Sequence, residues 1–190
     1  MGRWQPDARE RLEQAALDLF VEQGFAETTV PQITARAGLT TRTFYRHFAD
    51  KREVLFGDEE IPVAAARMIT EAPTDLPPMT LLTGALEAFA HTRFEHRRAD
   101  LRRRRDIIRS DEGLTERELR KRAMLSEAAR AALSERGLDP TVAALLAEMC
   151  VAVMYVSVQA WLDGDDDRPL VEILRSALTA LRREFVSAPC

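Results

Sequence analysis

Residues 37–51, Ala37 to Lys51, read AGLTTRTFYRHFADK. A glycine turn is followed by a short run that packs three threonines, three aromatics, two arginines and a histidine together. At about 100° per residue, Phe44 and Phe48 fall on one helical face, while Arg42 and Arg46 lie one turn apart and point away from it. Such a helix is anchored by its rings and displays its guanidinium groups. Thr41, Thr43, Tyr45 and His47 flank the displayed side, where hydroxyl and imidazole groups suit phosphate oxygens.

Just upstream, Thr29 and Gln32 have capping-box spacing, and Pro31 is tolerated in a first helical turn. The box predicts a short helix ending near Ala37. A short helix, a turn at "AGL" and a second short helix make the helix-turn-helix pattern, whose second helix enters the DNA major groove. Between Thr28 and Arg52 the basic residues Arg36, Arg42, Arg46, Lys51 and Arg52 face one acid, Asp50. The whole chain of 190 residues carries a formal charge of −4. A nucleic-acid partner must therefore be met by this local patch. Lys51, in the first turn of the next helix, adds an ammonium to free N–H groups that favour an anion.

Outward from this segment, apolar residues recur at three- and four-residue spacing and strand-like alternation is absent, so the chain is expected to be all-α. Asp7 and Glu10 form a candidate capping box for a first helix, Ala8 to Gln23, with Leu12, Ala15, Ala16, Leu19 and Phe20 as its stripe. Leu39 and Phe44 are placed as a hydrophobic staple for the third helix, Thr40 to about Phe48. Asp50 and Glu53 then open a fourth, with a break expected at Gly57 or Pro62. "EAPTDLPP", Glu71 to Pro78, reads as a linker. Five further helices follow, near Met79–Phe94, Glu95–Arg109, Leu114–Arg136, Thr141–Leu162 and Leu170–Phe185. The division drawn from this pattern is a head over 1–56 and a larger bundle over 57–190.

Residues 8–55 resemble the DNA-binding head of TetR-type (TetR/AcrR) transcriptional regulators. The likeness is carried by Phe20, Gly24, Thr28, Thr29, Ile33, Ala37, Gly38, Tyr45, His47, Phe48 and Lys51, each where that family's pattern places it. It implies that Thr29 meets a phosphate, that Thr41, Arg42 and Arg46 read bases, and that Tyr45, His47 and Lys51 grip the backbone. Thr28, Thr40 and Thr43 complete the expected DNA-binding set. A palindromic double-stranded operator read by a homodimer, and a small-molecule effector that is largely apolar, are further implications. So is release of a repressor by that effector.

The larger bundle agrees with both tasks. "TVAALLAEMCVAVMYVSVQAWL" is apolar on nearly every side, and "LVEILRSALTALRREF" has a broad apolar stripe. Helices this apolar need a partner beyond their own bundle, and Ala144, Val151, Ala152, Val158, Leu174, Ala177, Leu178 and Leu181 are the expected dimer contacts. Met68, Phe89, Phe94, Met124, Met149, Met154, Tyr155 and Trp161 are candidate pocket walls, each of which can equally be plain core. The arginine-rich run "RFEHRRADLRRRRDIIRS" is expected to form a solvated helix face, with a site for an anionic amphiphile as the sharper alternative.

Chemistry of other kinds finds little support. Glu87, His91, Glu95 and His96 lack the matching Glu-x-x-His of a bundle metal site, and "DGDDD" lacks the glycine and glutamate of a calcium loop. No nucleophile elbow, phosphate loop or dinucleotide fingerprint occurs. No enzyme, cofactor or metal is expected. Cys150 and Cys190 make no disulfide framework, and the N-terminus lacks a signal-peptide stretch. The expected setting is the cytoplasm, with no membrane contact, the apolar stretch 141–162 being a buried helix. The competing reading is a helical ligand- or metal-binding protein with a purely structural head.

Overall fold

The computed structural model describes residues 7–56, 61–94 and 97–187, with side chains to residue 184. The described residues form ten helices and no strand: α1 Ala8–Gln23, α2 Val30–Ala37, α3 Thr41–His47, α4 Glu53–Phe56, α5 Ile61–Thr70, α6 Pro78–Arg93, α7 Arg98–Arg109, α8 Glu112–Glu135, α9 Pro140–Asp163 and α10 Leu170–Ser187. They separate into two compact units. The first takes Met1–Asp58 together with Arg102–Leu119, and the second takes Glu59–Leu101 with Arg120–Cys190.

In the first unit α1, α2, α3 and α4 close around Leu12, Ala16, Phe20, Ile33, Phe44, Phe48 and Val54. Ile107 and Ile108 of α7 and Leu114 of α8 belong to the same core. The head thus recruits 102–119, a segment that sequence periodicity alone places in the larger bundle. Polar ties follow the apolar ones: Arg103 pairs with Asp18 at 3.2 Å and Arg117 with Asp50 at 3.4 Å. Arg104 is only 7% exposed. Arg93, Arg97 and Arg109 are exposed, as expected of a solvated face, and the expectation is corrected at Arg104, because periodicity marks apolar stripes but is blind to a guanidinium that finds carbonyl and carboxylate acceptors inside.

Local signals act as their chemistry demands, with one exception. Thr29 caps α2 through Gln32 N at 3.4 Å, and Gln32 Oε1 accepts from Thr29 N at 2.8 Å. Asp50 Oδ1 accepts from Glu53 N at 3.0 Å, while the Glu53 carboxylate reaches Ala49 N at 2.8 Å. Asp7 precedes α1 but makes no side-chain cap. The box expected there is not formed.

The second unit holds two apolar clusters. Ile69, Leu81, Leu82, Ala132, Leu133, Ala143 and Ala147 join α5, α6, α8 and α9. Ala90, Val153, Met154, Trp161, Leu162, Leu170 and Leu174 join α6, α9 and α10. Arginines cap its helices: Arg98 donates to the carbonyls of Trp161, Gly164 and Asp166, and Arg136 to those of Ile69, Ala72 and Pro73. A cation at a helix C-terminus meets unpaired carbonyls and the negative end of the dipole. α9 is long and apolar enough to cross a membrane, but Cys150, Val153, Met154, Ser157, Trp161 and Leu162 are buried among neighbouring helices, so it is a partly buried core helix.

Candidate nucleic-acid interface

α2 and α3 meet at a turn that only glycine accommodates well. Gly38 sits at φ 63°, ψ 38° and ends α2, with Leu39 N donating to Thr34 O at 2.9 Å. A Cβ at Gly38 would strain this left-handed backbone and lie 3.1 Å from Arg11 Nη2. That same guanidinium donates to Ala37 O, so α1 caps α2 with a charge. Arg36 forks onto Glu22 at 2.9 and 2.7 Å, fixing α2 to α1 at the surface and holding the Glu22 carboxyl below its ordinary range.

α3 is two-faced. Phe44 is fully buried, its ring 5.3 Å from that of Phe48, whereas Thr41, Arg42, Tyr45 and Arg46 are exposed. Thr40 caps α3 by accepting from Thr43 N at 3.2 Å, and the two hydroxyls lie 3.0 Å apart. His47 is half-buried, and its Nε2 has no hydrogen-bond partner among the described residues. Thr29, exposed at the start of α2, stands where N–H groups and a hydroxyl can meet a phosphate. The face combines donors for base edges with donors for phosphates, and it covers a closed apolar core.

Two expected contacts are placed differently. Thr28 has no exposed surface and donates to Gly24 O at 2.8 Å; it closes the α1–α2 turn from inside. Lys51 donates to the carbonyls of Phe25, Ala26 and Thr28 at 2.8, 3.1 and 2.8 Å, and its Nζ lies 4.4 Å from the centre of the Phe25 ring. An ammonium has three donors, and all three point into this loop. Burial lowers the Lys51 pKa from its ordinary value. The carbonyls come from residues some twenty-five positions away, a proximity with no signal in local sequence.

In the second unit a cleft of about 80 Å³ is lined wholly by apolar side chains and the Cys150 thiol. Met68, Phe89 and Met154 of the expected set line it, and so does Val151. Phe94, Met149 and Trp161 pack in the neighbouring core cluster instead, Met124 is exposed, and Tyr155 stacks under the Arg122 guanidinium at 3.8 Å. None of the lining residues is charged, so the arginines offered for an anionic amphiphile do not reach it. Leu174, an expected dimer contact, is fully buried within its own chain. Val158, Ala177, Leu178 and Leu181 lean on the same internal cluster. Ala144 is half-buried and Ala152 exposed. Glu87 is taken by Arg175 in a forked pair at 2.8 and 2.7 Å, and no metal-binding cluster occurs among the described residues. Glu95 and His96 lie outside the described residues.

The fold and this site define a helix-turn-helix DNA-binding regulator. The profile of bacterial regulatory proteins of the tetR family matches residues 13–56, and that of the MftR C-terminal domain matches residues 76–186. The chain belongs to the TetR family of transcriptional regulators, a family of DNA-binding proteins and not of enzymes. Among curated proteins it is 38% identical over 81 residues to the regulator TcmR of Streptomyces glaucescens, covering 42% of this chain and 36% of that one. It is 33% identical over 92 residues to the repressor BepR of Brucella suis, 44% of each. The matched part thus spans less than half of these relatives. The fold is shared with SmeT in its triclosan complex, TM-score 0.59 at 24% identity over 91% of this chain and 90% of that one. It is also shared with FadR of Bacillus subtilis in complex with stearoyl-CoA, TM-score 0.55 at 21% identity over 90% and 96%.

Proposed function

We propose that the chain is a cytoplasmic homodimeric repressor that binds a palindromic operator through α2 and α3 and is released by a small, largely apolar molecule. The observation that carries the DNA side is α3 itself: buried Phe44 and Phe48 hold it while Arg42, Tyr45 and Arg46 face outward. Thr29, Tyr45 and His47 serve the phosphates, Thr40 and Thr43 hold the helix start, and Thr41, Arg42 and Arg46 address base edges. One short helix reads few base pairs, so two heads on two half-sites supply the specificity.

Dimerisation is supported by α9. Val142, Leu145, Ala152 and Val156 follow helical spacing on its outer side, with Leu145 66% and Val156 60% exposed. An apolar row of this kind suits a second copy of the chain, and Leu145→Asp is expected to yield a monomer by size exclusion with light scattering. The effector reading is supported by the apolar cleft and by the small molecules held in the SmeT and FadR structures. At about 80 Å³ the cleft is smaller than the usual ligand pocket, so a larger effector requires Met68 and Met154 to move. Release then follows from tighter effector binding to a state whose heads no longer match the operator.

Selection of bound duplexes from a random pool, at two salt concentrations, tests the reading. Enrichment of one palindrome with affinity falling steeply as salt rises is expected. A folded, dimeric protein that enriches nothing would overturn it.

A further inference from the structure

Arg104 stands out within the first unit as a buried cation on a segment far in sequence from the recognition helix. Its Nη1 donates to Val54 O at 2.5 Å and its Nη2 to Glu13 Oε2 at 2.8 Å. The other oxygen of Glu13 accepts from Arg9 Nε at 3.2 Å. The Arg9 guanidinium carbon in turn lies 4.9 Å from the centre of the Phe48 ring, within cation–π range. Phe48 ends α3, its N–H donating to Phe44 O at 2.9 Å. An unbroken run of direct contacts therefore leads from α7 across α1 to Phe48, the residue that caps the C-terminus of the helix carrying Arg42 and Arg46.

Stability alone gives a poor reason for this arrangement. Ile107, Ile108 and Leu114 already fasten the segment to the core by apolar burial, and a buried ion pair seldom surpasses a well-packed apolar replacement because both charges must be stripped of water. What a two-pronged guanidinium adds is direction. Held to Val54 O at one side and Glu13 at the other, Arg104 sets the position of the Glu13 carboxylate, which sets Arg9, which bears on Phe48.

We propose that Arg104 is a positioning residue for DNA recognition, aiming α3 through Glu13, Arg9 and Phe48. The inference rests on α3 being the DNA-reading helix. It makes segment 102–119 a working part of the DNA-binding unit and not a connection to it.

The test is the full chain carrying Arg104→Met and Glu13→Gln, singly and together, so that the double variant removes both members of the Arg104–Glu13 pair. The Kd for the selected operator and its salt dependence are measured well below the Tm, alongside resonances of the His47 and Phe48 rings. A loss of affinity of about tenfold, with unchanged salt slope, equal in the two single variants and the double, and with shifted ring resonances, is expected. Wild-type affinity and unshifted rings in a folded double variant would overturn the proposal, leaving Arg104 an anchor only. Losses that add between the single variants would also overturn it, since residues in one line of contact do not act independently. A salt slope reduced by about one would instead make Arg104 a phosphate contact. Failure of the DNA reading is separate: there the wild-type protein itself enriches no duplex.

Discussion

The α2–α3 region of the first unit buries Ile33, Phe44 and Phe48 and leaves hydroxyls and guanidinium groups outside, whereas α9 of the second unit leaves Val142, Leu145 and Val156 in the open. Both regions are helical and cover an apolar core. Their outer faces differ in chemistry, and hence in partner. A closed core beneath a polar, cationic face suits a hydrated polyanion. An apolar outer row suits a surface that can be excluded from water, such as a second copy of the chain. The cleft beside Met68 and Met154 continues the same contrast, since it offers an apolar wall with no cation.

The contrast can be broken most severely from the head's side. Phe44→Ala removes a fully buried ring and is expected to cost about 3–5 kcal/mol, lowering the midpoint of urea unfolding and abolishing operator binding together. Arg46→Ala should do the reverse: thermal stability stays unchanged while affinity falls by about 1–3 kcal/mol and preference at one operator position relaxes.

On the second unit's side the Cys150 thiol sharpens the comparison. Burial pushes it from an ordinary 9.0 up to about 11. Below pH 9 it is protonated in folded and unfolded chains alike. Between about pH 9 and 11 only the unfolded chain gives up the proton, so this group's contribution to stability falls by about 2 kcal/mol across that window. Cys150→Ala should flatten that part of the pH dependence in urea unfolding; an identical slope in both proteins would mean that the thiol meets water. The smallest expected effect lies at the surface, where Thr29→Ala removes one half of a capping box and costs about 1 kcal/mol of stability, read as a small fall in Tm.

Much of the head was legible because its signals are local. The Thr29–Gln32 box, the glycine at the end of α2 and the spacing of Phe44 and Phe48 each act within a few residues. Thr28 and Lys51, expected at the DNA from the family resemblance, were not legible in this way. A threonine or lysine in a basic segment looks available, yet Thr28 turns inward to Gly24 O and Lys51 spends its donors on the loop from Phe25 to Thr28. For the larger bundle, periodicity located the helices but could not say which apolar face meets its own chain. Leu174 went inward and Leu145 outward, although each sits in an apolar stretch.

By itself, then, the sequence determined an all-helical chain, a capped helix-turn-helix with its arginines displayed, and a second, larger bundle of strongly apolar helices. Only the tertiary structure decided that Arg104, Ile107 and Leu114 complete the head, that Lys51 serves a loop, and that Met68, Phe89 and Met154 share a cleft. The physical reason is range. Caps, turns and helical faces are set by neighbours within a turn or two, whereas burial of a charge, the filling of a core and the opening of a cleft depend on groups that only the folded chain brings together.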